Sequence, residues 1–320
     1  MRRSWIAAIA LLMAASLPAY AADWPVKPIR AIIPFGPGSA TDVIPRVVFD
    51  KLSGLLGQQI VVENKGGAGS TLGTGMVAKA DPDGYTLLAT SSAYTIAPSL
   101  YSSLSYDAAR DLTAVGLIGS SPNVLIISAE KGINTVQDFV AAAKAKPGTF
   151  TFATVGVGSA VHMSAERFRM SAGYEAVHVP FKGGAEALTE VLSGRVDYYF
   201  CPIATALPFI RDGKLKALAV SSRTRAAQLP DVPTTLEAGY KDSDYSFWIG
   251  VFLPAATPHE IVAKLNAEMI KAVQTPEVTN KLAALGVVPA ALSPAEFEAQ
   301  VKSELAANPA FAKAAGMKMN

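Results

Sequence analysis

Cysteine is almost missing from these 320 residues; Cys201 is the only one. A lone thiol excludes an internal disulfide framework, so apolar burial must build the core, and a chain of this length can supply it. A surplus of one charge is missing too. The 28 Lys and Arg stand against 26 Asp and Glu, a formal net charge of +2, which gives no basic surface of the kind that holds nucleic acid. Histidine is scarce, and His162, His178 and His259 show no metal-ligand spacing. There is no Gly-x-Ser-x-Gly elbow, no His-Glu-x-x-His and no Walker loop. No catalytic residue, metal or cofactor is therefore expected. A hydrolase assembled from dispersed residues stays open as the rival class. No low-complexity or repeated block stands out.

What is present begins with a secretory pattern. Arg2 and Arg3 precede a short apolar core, Ile6 to Leu12, and Ala19-Tyr20-Ala21 supplies a small-x-small cleavage site. The apolar stretch is shorter than the roughly 20 residues that span a bilayer. Residues 1–21 are expected to be a signal peptide, with a mature chain exported to the periplasm. No cysteine follows the cleavage site, so no lipid anchor is expected. Removal of Arg2 and Arg3 leaves equal numbers of acidic and basic side chains. A neutral chain does not steer anions from a distance. Any bound anion must be held by local dipoles.

Short β-rich runs alternate with helical patterns. Ile29–Phe35, Ile60–Glu63, Tyr85–Ala89, Val124–Ser128, Phe150–Ala153, Val177–Val179, Val196–Phe200 and Leu215–Val220 read as strands, with amphipathic segments between most of them. This predicts α/β architecture with largely parallel sheets. Helix starts are marked at Thr135-Val136-Gln137-Asp138, at Thr257-Pro258-His259-Glu260 and at Ser293-Pro294-Ala295-Glu296. Behind the last two, Ile261, Leu265 and Met269, then Phe297, Val301 and Leu305, recur four apart and form apolar packing faces.

Two junctions carry the chemistry. Pro34-Phe35-Gly36-Pro37-Gly38-Ser39-Ala40-Thr41-Asp42 lies between a strand pattern and a helix pattern, and Thr154-Val155-Gly156-Val157-Gly158-Ser159-Ala160-Val161-His162 repeats the arrangement. Small residues there leave backbone N–H groups bare at a helix N-terminus, which suits an anion. The amides of Gly38, Ser39, Ala40 and Thr41 are candidates for one carboxylate, with Phe35 as wall or stacking partner. Thr154, Gly158, Ser159 and Ala160 are candidates on the second loop. Ser159 serves either as helix cap or as contact. His162 serves either as contact or as structural hydrogen-bond partner, and is expected to be neutral at a helix N-terminus. Ser91, Ser92 and Ala93 follow a strand end and join the candidates. Lys182 reads more naturally as a solvated turn residue than as an anion partner. Pro45 is tolerated if Asp42 caps the first long helix, and implies a kink if the helix starts earlier. Gly67-Ala68-Gly69-Ser70-Thr71-Leu72-Gly73 imitates a dinucleotide fingerprint, but Asp81 and Asp83 come too soon to serve the ribose. The glycines read as a tight loop.

Taken in order, these pieces resemble the Bug-type extracytoplasmic solute receptors of tripartite tricarboxylate transporters. The resemblance runs from Trp24-Pro25-Val26-Lys27-Pro28-Ile29-Arg30 through the Pro34–Asp42 loop, Leu56–Asn64, Gly66-Gly67-Ala68-Gly69 and Ala80–Leu88. It continues at Gly156-Val157-Gly158-Ser159, His162, His178–Gly183, Leu229–Thr234 and Trp248-Ile249-Gly250. It implies a two-lobed flytrap fold, each lobe a mainly parallel sheet flanked by helices, with two crossovers. Lobe I is expected at 22–122 and 246–320, and lobe II at 123–245. The implied ligand is a small organic anion in the cleft. The implied partners are membrane-embedded transporter subunits, and the receptor is expected to be a monomer. Two departures matter. Gly36-Pro37-Gly38-Ser39 stands where such receptors carry proline-proline-glycine-glycine, and Ser39 adds a hydroxyl toward the ligand. Cys201 stands where an aspartate usually faces the cleft, which implies a ligand without an ammonium group, a dicarboxylate or aromatic acid.

Overall fold

The computed structural model describes residues 24–317; the expected signal peptide lies outside them. The first lobe opens with β1 (Ile29–Ile33), α1 (Ala40–Leu56), β2 (Ile60–Asn64), α2 (Thr71–Ala78), β3 (Thr86–Ser91) and α3 (Ala93–Leu100). A 17-residue strand, β4 (Leu112–Ser128), then carries the chain into the second lobe. There follow α4 (Val136–Ala145), β5 (Phe150–Thr154), α5 (Ala160–Ala172), β6 (Ala176–Pro180), α6 (Gly184–Leu192), β7 (Tyr198–Pro202), α7 (Ile203–Arg211) and β8 (Leu215–Val220). The chain returns through β9 (Ser246–Pro254) to α8 (His259–Gln274), α9 (Pro276–Ala284), β10 (Val288–Pro289) and α10 (Pro294–Ala314). Among the described residues, no helix is long and apolar enough to cross a membrane.

β4 belongs to two sheets. Its first part pairs with β9 down to Pro122↔Ser246, and its second part pairs with β7 from Asn123↔Pro202 onward. The first sheet therefore runs β2-β1-β3-β9-β4-β10 and the second β6-β5-β7-β4-β8. The pairs β2-β1-β3 and β6-β5-β7 are parallel, whereas every pair made by β4 or β9 is antiparallel. Each sheet is thus mixed: a parallel half built from strand–helix repeats beside the strands that carry the chain across.

Both faces of each sheet are covered, and strand alternation sorts the side chains. Ile29, Ala31 and Ile33 enter a core with Val48, Phe49 and Leu52 of α1 and Ile261 and Leu265 of α8. Ile32 points the other way, to Tyr94, Trp248, Phe252 and Phe297. In the second lobe Val124 and Ile126 face α6 and α7, while Leu125 and Ile127 face α4 and α5. The continuous apolar runs in the sequence are therefore strands buried on two sides.

Local signals placed two helix starts well. Thr135 accepts from the Asp138 amide at α4, and Ser293 with Glu296 makes a reciprocal capping box at α10. Others move. Pro258, not Thr257, is the cap of α8, because the Thr257 hydroxyl donates to the Pro254 carbonyl. Ser39, not Asp42, caps α1, so Pro45 falls inside the helix and gives no amide to the Thr41 carbonyl.

Candidate functional site

Strands β1, β3, β5 and β7 all end at the same gap between the lobes, and each is followed directly by a helix N-terminus. A cavity of about 500 Å³ fills that gap, within the usual size of a small-molecule site. Lobe I supplies Phe35, Gly38, Ala40, Thr41, Val43 and Ile44 around α1, Ser91 and Ala93 at α3, Phe247 from β9, and Ala284 and Leu285 from α9. Lobe II supplies Val155, Ser159, Ala160 and Val161 at α5 and Pro202, Ala204 and Thr205 at α7. Ser121 and Asn123 come from the crossover strand β4. Among the described residues that line it, none carries a formal charge.

The two loops that open the site have the same construction. Residues 36–42 and 156–162 share Gly-x-Gly-Ser-Ala at the same positions. Gly38 and Gly158 both take left-handed backbone, at φ +78° and +77°, where glycine is at home. The Ser39 and Ser159 amides each donate to the carbonyl two residues before that glycine, Gly36 and Gly156, at 3.4 and 3.3 Å. In both loops the second glycine's amide is latched by the side chain four residues on. Gly38 N donates to Asp42 Oδ2 at 2.8 Å, and Gly158 N donates to His162 Nδ1 at 3.2 Å. Beyond the latch, the amides of Ala40 and Thr41, and of Ala160 and Val161, have no acceptor among the described residues. Those four residues line the cavity.

The latches differ in charge. Burial pulls the Asp42 pKa up, but bonds from Asn64, Gly38 and Arg46 win and hold it below the usual carboxylate range. It is a carboxylate paired with Arg46 at 2.8 Å. His162 is pushed from 6.5 down to about 3, first by burial, then by the neighbouring His178 and by Arg169. A neutral ring is what the geometry requires, since Nδ1 accepts the Gly158 proton.

The expected site residues divide into two groups. Phe35, Gly38, Ala40, Thr41, Ser91, Ala93, Ser159 and Ala160 line the cavity. Ser39 and Ser92 cap α1 and α3 with buried hydroxyls and lie outside the cavity wall. Thr154 is spent on structure: its Oγ1 accepts from the Gly156 amide and bonds His178 Nε2. His162 and Gly158 are spent on the latch. Ser159 also donates to the Gly156 carbonyl at 2.7 Å. Cys201 is a correction. Alternation along β7 turns Tyr199 and Cys201 to the α6–α7 side, where the thiol is wholly buried beside Val124, Ile203 and Val220. Burial pushes its pKa far up. The wall at that point is Pro202. Lys182 is exposed in the turn before α6 and away from the cavity.

Ser121, Asn123, Phe247, Thr205 and Leu285 were missed. They come from crossover strands and from distant helix ends, and carry no local motif. The one available signal was Ser121-Pro122-Asn123, which lies at the expected crossing.

A second cavity of about 570 Å³ lies behind the hinge, walled by Arg167, Arg223, Asp244 and Glu304 with the middle turns of α10. Arg223 pairs with Asp244 there at 2.9 Å. It is comparable in size, but the twin loops do not reach it. No group of three or more metal-ligating side chains occurs among the described residues.

Comparison with known proteins gives a consistent result. The family model described as tripartite tricarboxylate transporter family receptor matches residues 44–317. Protein BugT of Bordetella pertussis is 36% identical over 290 residues, covering 90% of this chain and 89% of its own. A solved structure from R. palustris with adipate is 30% identical, with a TM-score of 0.80 over 92% of this chain and 100% of that one. MatC of Rhodopseudomonas palustris with bound malate is 31% identical, with a TM-score of 0.77 over 90% and 99%.

Proposed function

The chain belongs to the tripartite tricarboxylate transporter receptor family, and from that premise we propose that it captures a small organic carboxylate in the cavity between its lobes. One observation carries the reading. Two loops of identical construction, one per lobe, each present a pair of consecutive unpaired amides to a cavity whose described wall has no charged side chain.

A carboxylate taken from water needs its oxygens hydrogen-bonded, or burial costs several kcal/mol. Helix N-termini supply those bonds without a basic side chain. Four of them reach the cavity, each nominally worth about half a positive charge, which matches the two charges of a dicarboxylate. An ammonium group would find no carboxylate partner in the wall. The case against an amino-acid ligand thus rests on the cavity lining rather than on Cys201. Adipate and malate, bound by the two related structures, are both dicarboxylates without an ammonium group.

The rest of the reading follows from the family and the sequence. The receptor is exported, with residues 1–21 as its signal, and works in the periplasm as a monomer that delivers its ligand to membrane-embedded transporter subunits. Lobe I comprises 22–122 and 246–320, and lobe II 123–245. The change of strand partners at Pro122 and Asn123 supports that division. Ligand contacts on both lobes favour the closed arrangement, because only there are both sets made. The protein returns its ligand unchanged; an exported hydrolase would consume it.

The decisive test removes one amide at a time. Ala40 and Ala160 are the first residues of their helices, a position where proline fits. The residues before them, Ser39 and Ser159, already hold the extended backbone that proline demands, at ψ 159° and 154°. Ala40→Pro and Ala160→Pro should therefore fold and lose only a donor. A hydrogen bond to a charged group is worth about 1.5–3 kcal/mol, so calorimetry with succinate should show roughly 10- to 100-fold weaker binding in each. Wild-type affinity in both would remove the loops from the site.

A further inference from the structure

The main cavity continues into a smaller one. A chamber of about 150 Å³ shares Phe35, Ala93, Val155 and Ser159 with it and runs on between α3, the turn at Gly69 and the loop before α5. We propose that this chamber is a selectivity subsite for the far end of an elongated carboxylate, a ring-sized apolar body bearing a neutral oxygen, and that the Tyr101 hydroxyl donates to that oxygen. The proposal rests on the reading of the cleft as a carboxylate site.

Volume and wall chemistry agree on the body. Ile96, Ala97 and Leu100 form one face of α3, and Val157 closes the chamber from the other lobe. An apolar cavity of about this volume is large enough for benzene. The wall is unsuited to a second charge. Gly158, which borders it, has its amide committed to His162, and Ile96, Ala97, Leu100 and Val157 are apolar, so a carboxylate there would give up its hydration against a largely apolar wall.

Tyr101 is the polar exception. The residue is half-buried, but its hydroxyl oxygen is shut from solvent and has no hydrogen-bond partner among the described residues. A phenylalanine would fill the same space without that cost. The hydroxyl acquires a partner when the chamber's occupant brings an oxygen. Burial raises its pKa, which keeps it a donor at neutral pH. The neighbouring backbone is shaped around it. Ala68, Gly69 and Ser70 all take positive φ, at 45°, 60° and 84°, and a Cβ at Gly69 would collide with the Tyr101 hydroxyl. Two non-glycine residues thus hold an unfavourable conformation in the turn that closes the chamber. Since the walls come from both lobes, an occupant would add contacts across the cleft at a second point.

The test is calorimetry with three probes, namely 4-hydroxyphenylacetate, phenylacetate and succinate, on the full mature protein. The wild type should bind 4-hydroxyphenylacetate about tenfold tighter than phenylacetate, the worth of one hydrogen bond. Tyr101→Phe should erase that difference while leaving phenylacetate within twofold. It deletes only an unpartnered group, so folding is not at risk. Val157→Trp, which fills the chamber, should weaken both aromatic acids at least tenfold relative to succinate. Succinate binding with no preference for the phenolic acid, or a Tyr101→Phe effect equal on all three probes, overturns the subsite and leaves the cleft reading standing. Failure of all three probes to bind the wild type overturns both.

Discussion

His162 shows how one side chain can set a local geometry and a pH response together. Its Nδ1 accepts the Gly158 proton, so protonation of the ring would break the latch that shapes the second loop. The ring also stacks on His178 at 4.3 Å between centroids. The folded pKa is about 3 against an ordinary 6.5, with burial as the main cause. The unfolded chain therefore takes up a proton that the folded chain refuses. This contribution to stability is complete above pH 6.5 and is lost as pH falls toward 3, by up to about 1.4 kcal/mol per pH unit. His162→Asn keeps an acceptor for Gly158 without a titrating ring. Urea unfolding between about pH 6 and pH 4 should show a flatter loss of stability in the variant. A residual slope from His178, whose pKa burial also lowers, is expected. An unchanged slope would place the acid sensitivity elsewhere.

At the level of elements, legibility followed locality. β1, β5 and β8 are uninterrupted β-rich runs, and the α4 and α10 caps are complete within four residues, so both kinds of feature stand in the sequence. The strand–helix junctions were legible for the same reason, and they contribute Gly38, Ala40, Ser159 and Ala160 to the cavity. The first two-thirds of β4 and all of β9 were not. Gly116, Gly119 and Pro122 give that part of β4 the look of a loop, yet the glycines sit at register shifts in the β4–β9 ladder and are there for close approach. A Cβ on Gly116 would lie 2.7 Å from Asn266 Nδ2, and that amide is held by the Val115 and Leu292 carbonyls at 2.8 and 3.0 Å. The reason for the glycine lies some 150 residues away, in α8, where no local pattern reports it. Gly116→Val should cost about 1–3 kcal/mol by overpacking, read as a lower urea midpoint. A midpoint equal to wild type would mean that α8 can move aside.

On the scale of the whole molecule, the two crossing segments pair with each other down to Pro122↔Ser246, and just beyond that point one residue bridges them. Ser221, at the end of β8 and fully buried, receives the Asn123 amide on its Oγ at 3.1 Å and donates its hydroxyl to the Tyr245 carbonyl at 2.6 Å. Its backbone bonds both neighbours again, to the Asn123 carbonyl at 2.8 Å and from the Tyr245 amide at 2.7 Å. Asn123 is also in the cavity wall, so the hinge and the site share a residue. Asn123 Nδ2 also donates to Ser164 Oγ of α5 at 2.9 Å, and across the gap Ile96, Leu100, Met163 and Ala312 form a small core that joins α3, α5 and α10. A ligand shifts such a two-lobed equilibrium only by its differential affinity for the two arrangements, so the stiffness of the hinge enters every ligand's affinity alike. Ser221→Ala leaves the buried Asn123 amide without its acceptor, at about 1–3 kcal/mol of stability. It should also change the affinities for succinate and phenylacetate by the same factor, because neither ligand touches Ser221. Calorimetry on the two ligands separates this from a subsite effect, which is selective. A Ser221→Ala variant that weakens one ligand and spares the other would show that the residue acts on the cavity wall rather than on the hinge.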